Sequence, residues 1–144
     1  MTMNFTPVST LRRSNVVKSH RFTANPFTDL LVEVVIHPTD KCLNACYHSG
    51  KTDDAVFAFC ESSDIGAKDE IVARLHFSRD TLCAPFIAHE AYHACETIRL
   101  HQRLVGNGDY VQEILAETAE RIVSETMKLC RHWKIKVAKF SHLK

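Results

Sequence analysis

The chain has 144 residues, 45% hydrophobic and 24% charged, enough to bury one core and too few for two ordinary domains. A formal net charge of +1 excludes whole-molecule electrostatic attraction to nucleic acid or a membrane, leaving such partners only a local patch. No apolar run approaches the roughly 20 residues of a membrane-spanning helix. Residues 1–30 carry Arg12, Arg13, Lys18 and Arg21 without a signal-peptide core, so a cytoplasmic protein is expected, with no membrane partner. Six cysteines are then expected as reduced, mostly buried thiols.

Residues 1–25 mix Ser, Thr, Asn and basic residues around scattered apolar ones and read as an irregular N-terminal arm. Residues 30–37, LLVEVVIH, are β-branched and bounded by Asp29 and Pro38, which predicts a largely buried strand. A polar stretch over 39–54 suits a loop or a short helix, and AVFAFC at 55–60 is strand-like. Residues 71–78 alternate, with Ile71, Ala73, Leu75 and Phe77 on one face and Val72, Arg74, His76 and Ser78 on the other; this predicts a strand buried on one side. Pro85 suits a first helical turn, and no further Pro or Gly occurs before Gly106, so a helix is expected over 84–105. After Gly106-Asn107-Gly108, Asp109 and Gln112 resemble a capping box and start a second helix running to about residue 132. The folded domain is placed at 26–133. Residues 134–144 are a basic C-terminal tail or edge strand.

The first long helix carries His89-Glu90-Ala91-Tyr92-His93. Histidines four apart project from one helix face, so both imidazoles can converge on one tetrahedral ion. Glu90 would lie beside that ion, where a carboxylate can take a proton from the attacking water and pass it to a leaving amine. A catalytic zinc needs a third protein ligand and an open position. Glu113 and Glu117 lie one turn apart on the next helix. One could bind the metal while the other accepts the remaining imidazole N–H of a ligand histidine.

These residues resemble the zincins of gluzincin type, in particular small metallopeptidase-like proteins of phages and bacteria. There a His-Glu-x-x-His helix is followed by a glutamate within Glu-x-x-Ala-x-x-x-Ala. This chain has Glu113 and Ala116 in place, with Glu120 where the second alanine would stand. The match covers residues 71–123. It implies an α+β zincin-like fold: a small three- or four-stranded sheet packed on the histidine helix, with a second, glutamate-bearing helix closing the site. It also implies a Zn2+ cofactor held by His89, His93 and Glu113, Glu90 as general base, and Glu117 supporting a ligand histidine. The implied reaction is hydrolysis of peptide bonds in a cytoplasmic protein or peptide, with a phage protein in its host's cytoplasm as one setting. In such folds an edge strand before the active-site helix pairs with extended substrate, and residues 71–78 hold that place.

For the electrophile that steadies the oxyanion, Tyr110, His132 and His142 are the candidates. Eight helical residues after His93, His101 is rotated about 80° from the pair, and Asp109 suits an N-cap better than a ligand. Cys42, Cys46 and His48 could be a fragment of a zinc site, but their spacing fits buried thiols better. In the lysine-rich end, Ile135, Val137 and Phe140 alternate with Lys134, Lys136 and Lys139, which an edge strand explains as well as a nucleic-acid contact; no nucleic-acid partner is expected. The alternative to an enzyme is a non-catalytic, zinc-containing protein-binding module on the same scaffold.

Overall fold

The computed structural model describes residues 17–48, 55–64 and 71–141. They form an α+β unit of four strands and three helices in the order β1 (Lys18–Thr23), β2 (Leu31–His37), α1 (Asp40–His48), β3 (Ala58–Ser62), β4 (Ile71–Ser78), α2 (Ala84–His101) and α3 (Asp109–His132). The sheet is mixed, with order β1-β2-β4-β3. β2 and β4 run parallel at its centre, and β1 and β3 flank them antiparallel. Among the described residues no helix is long and apolar enough to cross a membrane.

Strand register decides what each face of the sheet carries. Val32, Val34 and Ile36 of β2 lie beside Ala73, Leu75 and Phe77 of β4. That face packs with Ile87, Ala91, Ala94 and Ile98 of α2 and Ile122 and Leu129 of α3 in the main core. The opposite face pairs Glu33 with Arg74, Val35 with His76 and His37 with Ser78, and all six side chains are buried. α1 packs against β2 and β4, with Leu43 fully buried. The charges on this face are paired: Glu33 accepts from Arg74 Nε at 2.7 Å and from Arg21 Nε at 2.6 Å.

Several expectations change against this architecture. β4 is central and buried on both faces, not half-exposed, because Arg74 and His76 find buried partners that the alternation does not reveal. Among the described strands the edge strand beside α2 is β3, so residues 71–78 are not the edge strand. Residues 18–23, placed in the irregular arm, form β1 and pair with β2 along its whole length; residues 1–16 lie outside the described residues. The 39–54 stretch supplies α1, which begins where Thr39 Oγ1 accepts the Cys42 N–H (3.1 Å).

α2 stops at His101 rather than at 105. Arg103 takes a left-handed φ of 55°, and the Leu104 N–H closes back onto the Arg99 carbonyl (3.0 Å), satisfying a helix-end acceptor. The capping box does not form. Gly108 is the N-cap of α3 without a side-chain bond, and Gln112 Nε2 instead donates to the Asn107 carbonyl (2.8 Å). Of the described residues after α3, Ile135 is buried, and Ala138 exchanges backbone hydrogen bonds with Leu82 and Ala84 at the start of α2.

The six cysteines form no disulfide. Burial pushes the Cys60 thiol up to about 12 and those of Cys95 and Cys130 to about 11, while Cys83 is buried and Cys42 exposed. A raised thiol stays protonated and unreactive near neutrality. Brief iodoacetamide treatment of the metal-stripped native protein at pH 7.5, read by peptide mass mapping, is therefore expected to modify Cys42 first and Cys46 next. Cys60, Cys83, Cys95 and Cys130 should react only after unfolding.

Candidate metal centre

The spacing of His89 and His93 does on α2 what helix geometry requires. Their Nε2 atoms stand 3.2 Å apart. Two imidazoles bound to one tetrahedral zinc, at Zn–N of about 2.0–2.1 Å, have nitrogens roughly 3.3–3.4 Å apart, so the pair needs almost no rearrangement. His89 is exposed, with 68% of its side chain accessible, and its Nε2 lies 3.9 Å from Glu90 Oε1. Glu90 itself is only 5% exposed. Burial pushes its carboxyl above the ordinary range, and the two neighbouring imidazoles act in the opposite direction.

Glu90 and His93 open onto a groove of about 450 Å³ between α2 and edge strand β3, also lined by Ala58, Cys60, Thr97 and Leu100. Tyr47 of α1 reaches the same groove and packs on Phe59, with ring centroids 4.9 Å apart.

Among the described residues, no ligand atom of Glu113 or Glu117 lies within 4.8 Å of both imidazole ligand atoms of this pair. Residues two apart on a helix are rotated by about 200°, so His93 projects almost opposite to Cys95, whose Sγ donates to the Leu115 carbonyl of α3 at 3.7 Å. On α3 the buried stripe is Ile114, Thr118 and Ile122, and each glutamate precedes a member of it by one residue. Glu113 is exposed. Glu117 lines a separate cleft with Pro26, Glu120, Arg121 and Ser124, where its Oε2 is buried without a hydrogen-bond partner.

The oxyanion candidates also lie elsewhere. Tyr110 is exposed and meets Phe27, His132 packs edge-on against Trp133, and His142 lies outside the described residues. His101 Nε2 bonds to Ser63, a structural role.

A second group lies on the α1 face of the sheet. His37 from β2, Cys46 from α1 and His76 from β4 each offer a ligand atom, all within 4.8 Å of one another, a set able to hold a metal ion. Among the described residues it is the one group of three His, Cys, Asp or Glu ligand atoms so gathered. His37 Nε2 and His76 Nδ1 are 2.9 Å apart, and His76 Nε2 is hydrogen-bonded to Glu61 of β3. Burial, reinforced by the other imidazole, pushes His37 down to about 4; burial also lowers His76, against its bond to Glu61. Sequence reasoning reached Cys46 through Cys42 and His48 and missed both histidine partners. One signal was present: His37 and His76 interrupt strands whose other residues are mostly apolar.

Comparison with known protein families, curated proteins and solved structures finds no match to the chain.

Proposed function

We propose that the protein is a zinc-dependent peptidase that acts on a protein or peptide in its own compartment, the cytoplasm, at the groove between α2 and β3. The observation that carries this is the pair of Nε2 atoms 3.2 Å apart with the buried Glu90 carboxyl beside it. A purely structural helix histidine pair has no use for a buried carboxyl at that position. When bound, zinc would polarise the scissile carbonyl and make a water acidic near neutrality.

The chain's own part is to hold the ion through His89 and His93 and to move the proton. Glu90 takes it from the attacking water and hands it to the leaving amine. Edge strand β3 can pair its open backbone with an extended peptide, which would make binding tolerant of sequence. The zincin likeness rests on this set: a mixed sheet, an antiparallel edge strand and the histidine helix behind it.

The resemblance takes Glu113 as third ligand. Glu113 is exposed and no ligand atom of it is gathered with the pair, so His89 and His93 are the two assigned protein ligands, and the third that a catalytic zinc takes would be the residue whose removal costs zinc in the variants below. Zinc content after brief chelation, reloading and dialysis tests this. His93→Ala should hold one equivalent fewer than wild type, while Glu113→Ala and Glu117→Ala hold as much as wild type. Loss in Glu113→Ala would restore the ligand set of the resemblance, and no loss in His93→Ala would remove the site.

A non-catalytic zinc-containing binding module is the second reading, favoured by the lack of a third ligand at the pair among the described residues. It predicts peptide binding in the groove without cleavage.

A further inference from the structure

We propose that His37, Cys46 and His76 form a second, structural metal site that takes zinc or a similar thiolate- and imidazole-binding divalent ion and clamps α1 onto the sheet. The inference does not depend on the peptidase reading, since the cluster lies on the sheet face opposite α2.

Three observations carry it. The ligand atoms already lie within 4.8 Å of one another, and the two nitrogens, 2.9 Å apart, need open by only a few tenths of an ångström to span a tetrahedral ion, whose N···N separation is roughly 3.3–3.4 Å. A tetrahedral ion would set Cys46 Sγ about 3.6 Å from each nitrogen, and Cys46 sits in the last turn of α1. The donor set, two imidazoles and one thiolate, is the combination that selects borderline-soft ions over magnesium or calcium.

The second observation is Glu61. Its carboxylate accepts the Nε2–H of His76, which fixes the tautomer and leaves the Nδ1 lone pair aimed at His37 Nε2. A carboxylate behind a histidine is the arrangement that orients metal-ligating imidazoles. The third is burial: His37 and His76 are 2% and 0% exposed, so neither serves as an ordinary surface histidine, while the half-buried Cys46 gives the ion a way in. On binding, the Cys46 thiol proton leaves to solvent, and the proton on His37 Nε2 moves to its Nδ1.

The site is anchored independently of the metal. Asp40 at the start of α1 accepts from the Thr81 hydroxyl (3.0 Å), and Asn44 bonds both the N–H and the carbonyl of Val56. These bonds hold α1, and with it Cys46, beside the two strand histidines without the ion.

Cobalt(II) distinguishes this site from the His89/His93 pair, which has no sulfur ligand. The metal-stripped full-length His89→Ala/His93→Ala double variant is titrated with cobalt(II) and followed in the near ultraviolet. A sulfur-to-cobalt charge-transfer band saturating at one equivalent is expected, lost on adding Cys46→Ala and kept on adding Cys42→Ala. In parallel, zinc should slow alkylation of Cys46 at least about tenfold while leaving Cys42 unchanged. No band in the double variant, or a band that survives Cys46→Ala, overturns the proposal. Circular dichroism of the Cys46→Ala variant confirms that a lost band reports a lost ligand rather than a lost fold.

Discussion

Glu90→Gln is expected to lower kcat/KM for peptide hydrolysis by about 10³-fold, within the range that a positioned general base contributes, while zinc content stays at the wild-type level. The amide keeps the size of the carboxyl but cannot take a proton from water. The folded protein should not suffer. Burial raises the Glu90 carboxyl, so the folded state binds this proton more tightly than the unfolded chain does. That contribution is present at low pH and is lost as pH rises through the raised value, where the charged form must be carried at a buried position. Replacing it with a neutral amide removes that cost, and the melting temperature at pH 7 should equal or exceed that of wild type. Retention of more than about a tenth of wild-type activity would remove Glu90 from the proton path.

Glu33→Ala should have the largest effect on stability. Glu33 is fully buried and joins Arg21 and the almost fully buried Arg74 across three strands. Its removal leaves the Arg74 guanidinium short of its buried counter-charge, at a cost of about 3–5 kcal/mol, or a drop in melting temperature on the order of 10 °C. Glu33→Leu with Arg74→Met tests the same point from the other side, because replacing a buried pair with apolar groups is often neutral. The double variant should recover most of the loss in urea unfolding. A Glu33→Ala loss under about 1 kcal/mol would show that the ion pair is not needed at this interface.

Local signals made part of this molecule legible in the sequence. The β-branched run at 31–37, Pro85 opening α2 and the glycine break before α3 act within a few residues, and the structure places elements there. His89 and His93 are four residues apart on one helix, so their convergence follows from helix geometry alone. What escaped the sequence is what depends on strand order. The alternation in β4 cannot say whether its polar face meets water or a second layer, and that face turns out to lie under α1 with Arg74 on Glu33 and His76 on Glu61. The edge role of β3 likewise follows from β2 and β4 pairing in parallel.

The glutamates of α3 show the same limit. Spacing places Glu113 and Glu117 on one face of the helix, but which face meets α2 is set by the buried stripe of Ile114, Thr118 and Ile122. The His37, Cys46 and His76 cluster draws its members from three elements spread over 40 residues of chain, and no spacing rule gathers them.

The most direct test of the central claim is mass-spectrometric analysis of a diverse peptide library incubated with zinc-loaded wild type, with chelated and reloaded wild type, and with zinc-loaded His93→Ala, which keeps the second cluster. New peptide termini are predicted with the loaded and reloaded wild type, and none with the chelated protein or His93→Ala. No cleavage by the loaded wild type, or equal cleavage by His93→Ala, would contradict a peptidase built on the His89/His93 pair.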